Sequence, residues 1–480
     1  MSEIRISEGH HRILQQHLFR HDHDEHGVAV LAGVRRSAAG VRLLVRDVLP
    51  VPDAEFPPGE HGYRMFSPRF LVAAGRQAAR DHLALVLMHN HPAADTQVAL
   101  SADDRAGHER TFPHLLDITD GMPVAGLALG RRSAAGEIWT HEGRTRLDHL
   151  TVLGSTWQRL SPGPPRCDEQ ANRYDRQVRM FGSAGQTRIR ALHVAVIGAG
   201  GGGSLVVQTL AHLGVGEITV IDWDHVSEHN LSRIVGSRPD DARRAHKKVA
   251  VAKRMVRQID PSIRVNPIDG DISDPDVAAA VVDCDALFLA TDTHTSRLVA
   301  NALACAHLMP IIQIGAKVDT DRHGRVSAIY SVIRPVAPGA ACLYCMRAID
   351  PLVLQREAAS EEERVAQNYV DAPAVVDPSV ITLNATGAAA ATGALLLATV
   401  GLGHTALWQP RIADAITGEW RSLRPHRDPN CPWCSRADNS QYGRGDRALV
   451  PTRVSSLVAA TSALGGRSAT VVVRSPAPRM

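Results

Sequence analysis

Two histidines two residues apart, His89 and His91, stand just before Pro92, and after a short loop Ser101 is followed by the carboxylates Asp103 and Asp104. Alternate residues at a strand's end project to one side, so both imidazoles can reach one metal ion. Two histidines, a carboxylate and a water in the fourth position have the composition of an open, catalytic zinc site. A second constellation is a G-x-G-x-x-G turn made by Gly198, Gly200 and Gly203, with Gly201 also inside it. Such a turn lets backbone N–H groups approach a phosphate, and a helix starting there offers the phosphate its positive end. Asp222, 24 residues beyond Gly198, can accept hydrogen bonds from ribose hydroxyls, and Asp224 forms an acidic pair with it. The turn alone leaves NAD, FAD and ATP open as the nucleotide. The third constellation is two C-x-x-C pairs, Cys342 with Cys345 and Cys431 with Cys434. Four thiolates with no open position describe a structural tetrahedral zinc.

The hydrophobic pattern supplies the elements that must hold these groups. Residues 6–19 read as a helix leading to Asp24 and Glu25, residues 41–49 alternate like a strand, and residues 69–81 read as a helix. Residues 83–88 form an apolar strand that runs directly into His89, and 122–129 a further strand, so residues 1–150 fit a small α+β domain. Residues 151–172 include Ser161, Pro162, Gly163, Pro164 and Pro165 and read as a linker. From there the pattern is α/β: a strand at 194–197, a helix at 205–213 and a second strand at 217–221 ending at Asp222. Residues 355–367 read as a charged surface helix or crossover, and the small-residue stretch 381–400 as a buried helix suited to a dimer interface. Its glycines and threonines argue against a membrane span. Residues 436–480, rich in Ser, Arg, Gly and Ala, read as a flexible tail.

Composition narrows the classes. The 480 residues carry 53 Lys and Arg against 50 Asp and Glu, and aromatics are only 4 %, which suggests neither a phosphate-binding face nor a base-stacking platform for nucleic acid. The first thirty residues are polar and His-rich, unlike a signal peptide. Four of the seven cysteines fall in C-x-x-C pairs, which suits a metal in a reducing compartment, and a cytoplasmic protein is expected.

The His89, His91, Pro92 and Ser101-x-x-Asp104 pattern resembles the JAB/MPN metalloproteases. The resemblance implies His89, His91 and Asp104 as zinc ligands, Ser101 as a residue that helps hold the tetrahedral intermediate, and Glu25 as the general base that activates water. The loop from Pro92 to Ser101 is two residues longer than the family's pattern, which leaves Asp103 as an alternative to Asp104. Asp24 is likewise an alternative to Glu25. Residues 173–435 resemble the ThiF/MoeB adenylyltransferases, which share their fold with ubiquitin-activating enzymes. The residues that carry this resemblance are the glycine turn, Asp222, Asn230, Arg233, Lys248 and Asp292. It implies a Rossmann-like fold in which Asp222 holds the ribose. Asn230, Arg233 and Lys248 would surround the triphosphate, and Asp292 would coordinate Mg²⁺. Lys247 remains an alternative to Lys248, and Arg176 matches an arginine supplied across a dimer interface. The family's asparagine after Asp292 is Thr293 here.

Together these resemblances imply a bifunctional enzyme with ATP, Mg²⁺ and two zinc ions, one catalytic and one structural. One half would cut a peptide or isopeptide bond after the terminal glycine of a ubiquitin-like or sulfur-carrier protein, and the other would adenylylate that glycine. The alternatives are a sulfur-transfer role of the cysteine, thiamine or molybdopterin type, or a nucleotide-binding scaffold with an inactive hydrolase site. A homodimer is expected, with no nucleic-acid or membrane partner. No cysteine lies between Cys345 and Cys431, which gives no support to a thioester step of the ubiquitin-activating kind.

Overall fold

The computed structural model describes residues 2–38, 40–58, 65–164, 172–320, 323, 325–358 and 379–453. Its N-terminal half is built on nine strands: β1 (Glu3–Ser7), β2 (Gly27–Ser37), β3 (Gly40–Pro50), β4 (Ala84–Asn90), β5 (Val124–Leu129), β6 (Ala134–Thr140), β7 (Gly143–Arg146), β8 (His149–Leu153) and β9 (Gln158–Leu160). They lie in the order β7-β6-β5-β4-β2-β3-β1-β8-β9. The two-residue period of a strand sorts their side chains between two cores. Val28, Val30, Val86 and Met88 pack on one face with Leu14 and Leu18 of the helix Glu8–Leu18. Ala29, Leu31, Leu85 and Leu87 pack on the other, under the helices Pro68–Asp81 and Ala102–Ile118. His89 continues this second row, so it emerges at the strand's end on the face that those two helices cover.

Two expected boundaries are corrected here. The helix expected over 6–19 begins at Glu8, where Ser7 accepts a hydrogen bond from the His10 amide (3.2 Å), and residues 3–7 are the strand β1. Residues 151–160, expected in a linker, contribute most of β8 and all of β9; β8 runs parallel to β1, so this stretch belongs to the first sheet.

The C-terminal half is a second, eight-stranded sheet: β10 (His193–Ile197), β11 (Glu217–Ile221), β12 (Arg264–Ile268), β13 (Ala286–Leu289), β14 (Ile311–Thr320), β15 (Val326–Val336), β16 (Arg411–Asp414) and β17 (Trp420–Ser422). The order is β12-β11-β10-β13-β14-β15-β16-β17, parallel as far as β14 and antiparallel beyond it. The chain steps outward from β10 to β11 and β12 on one side, then to β13 and β14 on the other. That reversal opens a crevice at the carboxyl ends of β10 and β13, where doubly wound sheets take their ligands. The helix Ile381–Val400 packs on the helix Gly201–Leu213 and on Asp175–Arg190. By length and composition it could cross a membrane. Its buried positions Gly387, Ala388, Ala391, Ala394, Leu395 and Ala398 recur every three or four residues, the pattern of a helix packed on one side.

The two halves meet through buried charge. Arg5 is ion-paired with Glu3, and its guanidinium reaches the Cys284 carbonyl (3.2 Å) and Asp285 (3.4 Å) across the junction. Arg42 pairs with Glu3 (2.7 Å) and donates to the Val282 carbonyl (3.0 Å), while His149 lies 3.0 Å from Glu3. The flexible tail expected over 436–480 is corrected for residues 436–453, which strap the two halves together. Arg46 donates to the carbonyls of Ala437 and Tyr442, the Gly443 amide donates to Cys305, and Gly445 bridges to Val34 of β2. Gly443 and Gly445 both have positive φ, 62° and 59°, so the strap can press its backbone onto its neighbours. Cys167, residues 359–367 and residues 454–480 lie outside the described residues.

Candidate nucleotide site and metal centres

Each glycine of the turn has its own physical reason. Gly198 has φ +91°, and a Cβ there would lie 2.7 Å from the Ala290 carbonyl oxygen. At Gly203 a Cβ would collide with the Gly198 carbonyl, which fixes how closely the helix Gly201–Leu213 starts against β10. Gly200, the N-cap of that helix, has nothing within 4 Å of where its Cβ would be. Space is thus reserved beside the first amides of the helix, where a phosphate gains both hydrogen bonds and dipole. Asp222 accepts the Ala199 amide (2.7 Å) through one oxygen and the Asp224 amide (2.9 Å) through the other, which sets its carboxylate at the lip of the crevice. Lys248, at the start of the helix Lys248–Ile259, reaches Asp224 (2.6 Å). Burial raises the Asp224 carboxyl, but the Lys248 ammonium outweighs it and holds the group below its ordinary range. Lys247 is held instead by the Trp223 carbonyl (2.8 Å) and Asp269 (2.9 Å). Arg233 donates to the His229 carbonyl (2.7 Å) and passes beside Gly201, and Asn230 is buried in a capping box with Ser227. Asp292 is exposed just beyond β13 and makes no ion pair with a described residue.

In the N-terminal half the structure brings His89, His91 and Asp104 together, with one ligand atom of each within 4.8 Å of the others. Asp104 meets His89 Nε2 at 3.1 Å and His91 Nε2 at 3.6 Å. Burial raises its carboxyl, yet the two imidazoles outweigh that and hold it far below the usual carboxylate range. Asp104 in turn raises His91. Asp103, the alternative, is exposed. Ser101 caps the helix Ala102–Ile118: its hydroxyl accepts the Asp104 amide (3.0 Å), and Asp104 accepts the Ser101 amide (2.7 Å). The S-x-x-D spacing is therefore also a capping box, and it steers Asp104 toward the histidines. Gly27 of β2 pairs with His89, so two residues further out Glu25 comes opposite His91, whose charge it favours. Asp24 is exposed, and its carbonyl accepts from Asn90 (3.1 Å).

The sulfurs of Cys342, Cys345, Cys431 and Cys434 converge to within 4.8 Å of one another, with contacts of 3.7 Å (Cys342 to Cys431) and 3.6 Å (Cys345 to Cys434). Thiolates placed tetrahedrally about a zinc ion lie ~3.8 Å apart, so the four fit that ion. Residues 174–433, which contain the crevice and end one residue short of the last of the four cysteines, match the ThiF family. The chain belongs to that family. It is similar to the SAMP-activating enzyme E1 of Haloferax volcanii, 30 % identical over 179 residues, 37 % of this chain and 62 % of that protein. It is also similar to the molybdopterin-synthase adenylyltransferase of Escherichia coli, 28 % identical over 271 residues, 56 % of this chain and 98 % of that one. Among solved structures, E. coli MccB with MccA-N7isoASN is 22 % identical at a TM-score of 0.45, covering 56 % of this chain and 76 % of that one. The chain thus spans under two thirds of the first of these relatives and nearly all of the second.

One expected residue of the ThiF unit is not at its own crevice. Arg176 opens the helix Asp175–Arg190, where Gln177 donates to the His212 carbonyl at the far end of the helix Gly201–Leu213. That helix is about 20 Å long, which separates Arg176 from the glycine turn of the same chain. Two groups at the crevice were not visible beforehand. Asn384 lies directly over Gly201, brought there by a helix more than 180 residues later in the chain. Glu357 accepts the His294 (2.9 Å) and Thr295 (2.7 Å) amides and so caps the helix His294–Ala306 beside Asp292. Neither has a local sequence signal. Cys284 is buried, which pushes its thiol up, and it is poorly suited to act as a thiolate nucleophile.

Proposed function

We propose that the ThiF unit is an ATP-dependent adenylyltransferase acting on the C-terminal glycine of a ubiquitin-like or sulfur-carrier protein. In this reading the N-terminal unit is a JAB/MPN-type zinc hydrolase that trims or releases that tail. The observation that carries the first half is the space kept open at Gly200, at the start of the helix Gly201–Leu213. The names of the relatives, a SAMP-activating enzyme and a molybdopterin-synthase adenylyltransferase, agree with this chemistry. A terminal carboxylate must attack the α-phosphate of ATP, and two anions repel one another. Lys248 and Arg233 offset that repulsion, the amides of the glycine turn orient the phosphates, and Asp222 fixes the ribose. Asp292 is the residue to hold Mg²⁺, which supplies charge neutralisation for the departing pyrophosphate. Arg176, remote from its own crevice, would serve that of a second copy in a homodimer.

The second half rests on His89, His91 and Asp104, whose donor types and convergence suit a zinc ion with a position left for water. Zinc there would supply Lewis acidity. Glu25 would take the water's proton, and Ser101, at the mouth of the site, keeps a hydroxyl hydrogen to donate. One tether for both activities raises the effective concentration of a carrier tail passing from one site to the other.

ATP–pyrophosphate exchange tests both halves, using small β-grasp carriers that end in glycine, with and without extra C-terminal residues. Exchange is expected with the trimmed form at once and with the extended form only after incubation. Asp292→Ala should stop exchange and spare cleavage. Absence of exchange with every carrier offered would refute the adenylyltransferase reading.

A further inference from the structure

A cavity of about 450 Å³ opens beside the His89–His91–Asp104 triad, lined in part by Leu100, Arg105, Glu137, Arg144 and Arg146. Strand register shows how it relates to the triad. His89 pairs with Ala128 of β5, Ala128 with Ala135 of β6, and Glu137 with Arg146 of β7. Paired residues share a face, and so do residues two apart on one strand, so His89, Ala135, Glu137, Arg144 and Arg146 all project on the same side of the sheet. The wall on the triad side is the start of the helix Ala102–Ile118: Leu100 adjoins Ser101, and Arg105 adjoins Asp104.

The charges of this cavity are unbalanced. Glu137, the one carboxylate among its described lining residues, is already engaged by His108 Nδ1 (2.9 Å) and Trp139 Nε1 (2.9 Å). Arg144 is paired with Glu109 (3.0 Å), at the rim. Arg105 and Arg146 have no carboxylate partner among the described residues. Two unpaired guanidinium groups in a concave site form a receptor for a carboxylate, which each can hold through two hydrogen bonds. The volume suits a small molecule or a short peptide and excludes a folded protein.

We propose that this cavity seats the segment released by the hydrolase, and that it selects short linear extensions ending in a free α-carboxylate over isopeptide-linked or amidated ones. The inference rests on the zinc-hydrolase reading of the triad. In the reaction, water's oxygen bonds to the carbonyl carbon of the carrier's glycine, the C–N bond breaks, and the proton leaves with the released amine. The cavity then holds the far end of that amino acid or short peptide. The N-terminal unit is on this reading a trimming enzyme for linear tails.

The test uses two acetylated peptides that differ only at their end, one finishing in Gly-Gly-Ala as the free acid and the other as the amide. Binding is measured by calorimetry to the full-length, zinc-loaded Glu25→Ala variant at low salt, so that no turnover intervenes. The acid should bind about tenfold more tightly than the amide, the worth of one charge-assisted contact. Arg105→Gln and Arg146→Gln should each erode that preference, and the double variant should abolish it. Both positions are exposed on the cavity wall, so the variants should keep the parent's fold and zinc content. Equal affinity for acid and amide, absence of binding by either, or a preference that survives in the double variant would overturn the inference. Cleavage of both peptides alike by the wild-type protein would overturn it while leaving the hydrolase reading intact. An acid preference without any zinc-dependent cleavage would refute the hydrolase reading and leave the cavity as a carboxylate site.

Discussion

Gly200 and Gly203 sit three residues apart in one turn, and the structure gives them opposite sensitivities. A Cβ at Gly203 would meet the Gly198 carbonyl oxygen well inside the 3.0 Å that real Cβ atoms essentially never breach. Relief requires the helix start to move from the strand by more than about 1 Å, and overpacking of this kind costs about 1–3 kcal/mol. Gly200 is the reverse case: its φ is −75° and its surroundings are open, so alanine is allowed there. The unfolded chain loses entropy and the N-cap is slightly weakened, two effects of about 0.5 kcal/mol that oppose each other. Gly203→Ala should therefore lower the urea midpoint of the ThiF unit clearly, whereas Gly200→Ala should leave it nearly unchanged. The order inverts for function among molecules that remain folded. The new methyl at Gly200 occupies the space reserved for phosphate, and KM for ATP in pyrophosphate exchange should rise about tenfold or more, the loss of one or two charge-assisted bonds. If Gly200→Ala binds and exchanges ATP as the parent does, the phosphates do not lie against this turn and the reasoning fails.

Other perturbations probe the remaining features. His89→Ala should reduce zinc by one equivalent per chain in metal analysis, whereas Glu25→Ala should keep the metal and lose cleavage; loss of metal in the latter would show that Glu25 is more than a base. Cys431→Ser should release the second zinc and lower the thermal midpoint of the ThiF unit, while the N-terminal metal stays in place. Glu3→Gln leaves Arg5 and Arg42 facing each other at the junction, and removing one partner of a buried ion pair costs about 3–5 kcal/mol in chemical unfolding. Burial raises the Glu3 carboxyl, but Arg5, His149 and Arg42 outweigh it and depress it well below its ordinary range. A depressed carboxyl stabilises the fold above its unfolded pKa of about 4.3 and loses that contribution as pH falls through the folded value. Below about pH 4.3 the stability of the parent should accordingly fall more steeply than that of Glu3→Gln; parallel curves would remove Glu3 from the account.

Much of this was legible in the sequence where chemistry demanded a local pattern. The buried strand before Gly198 is a plain apolar run because parallel strands are covered on both faces, and the glycines that follow have no other economical use. His89 and His91 could be placed because the strand that carries them is apolar up to its last turn of phase. The strand β1 was hidden because Glu3 and Arg5 are charged yet buried, and their cover comes from residues 282–285 of the other half. Residues 436–453 looked like a tail for a related reason. Their Ser, Gly and Arg content denies them a core of their own, and they are held by backbone bonds to Arg46, Cys305, Ala306 and Val34 that no local pattern records. Asn384 and Glu357 were invisible because only tertiary folding brings them to the crevice.

The strap has a consequence for how the protein can be taken apart. The chain enters the ThiF unit after β9 and comes back from it immediately after the cysteine knuckle of Cys431 and Cys434, so the N-terminal half is gripped at both ends of its neighbour. Severing the connection between residues 164 and 172 would yield two polypeptides that still migrate as one particle. Expressed by itself, the N-terminal half would turn Glu3, Arg5 and Arg42 out to solvent and leave the Val34 edge of β2 without its companion. Dissection at the obvious midpoint would thus create an artificial surface, and the two activities are best separated by point substitution in the intact chain.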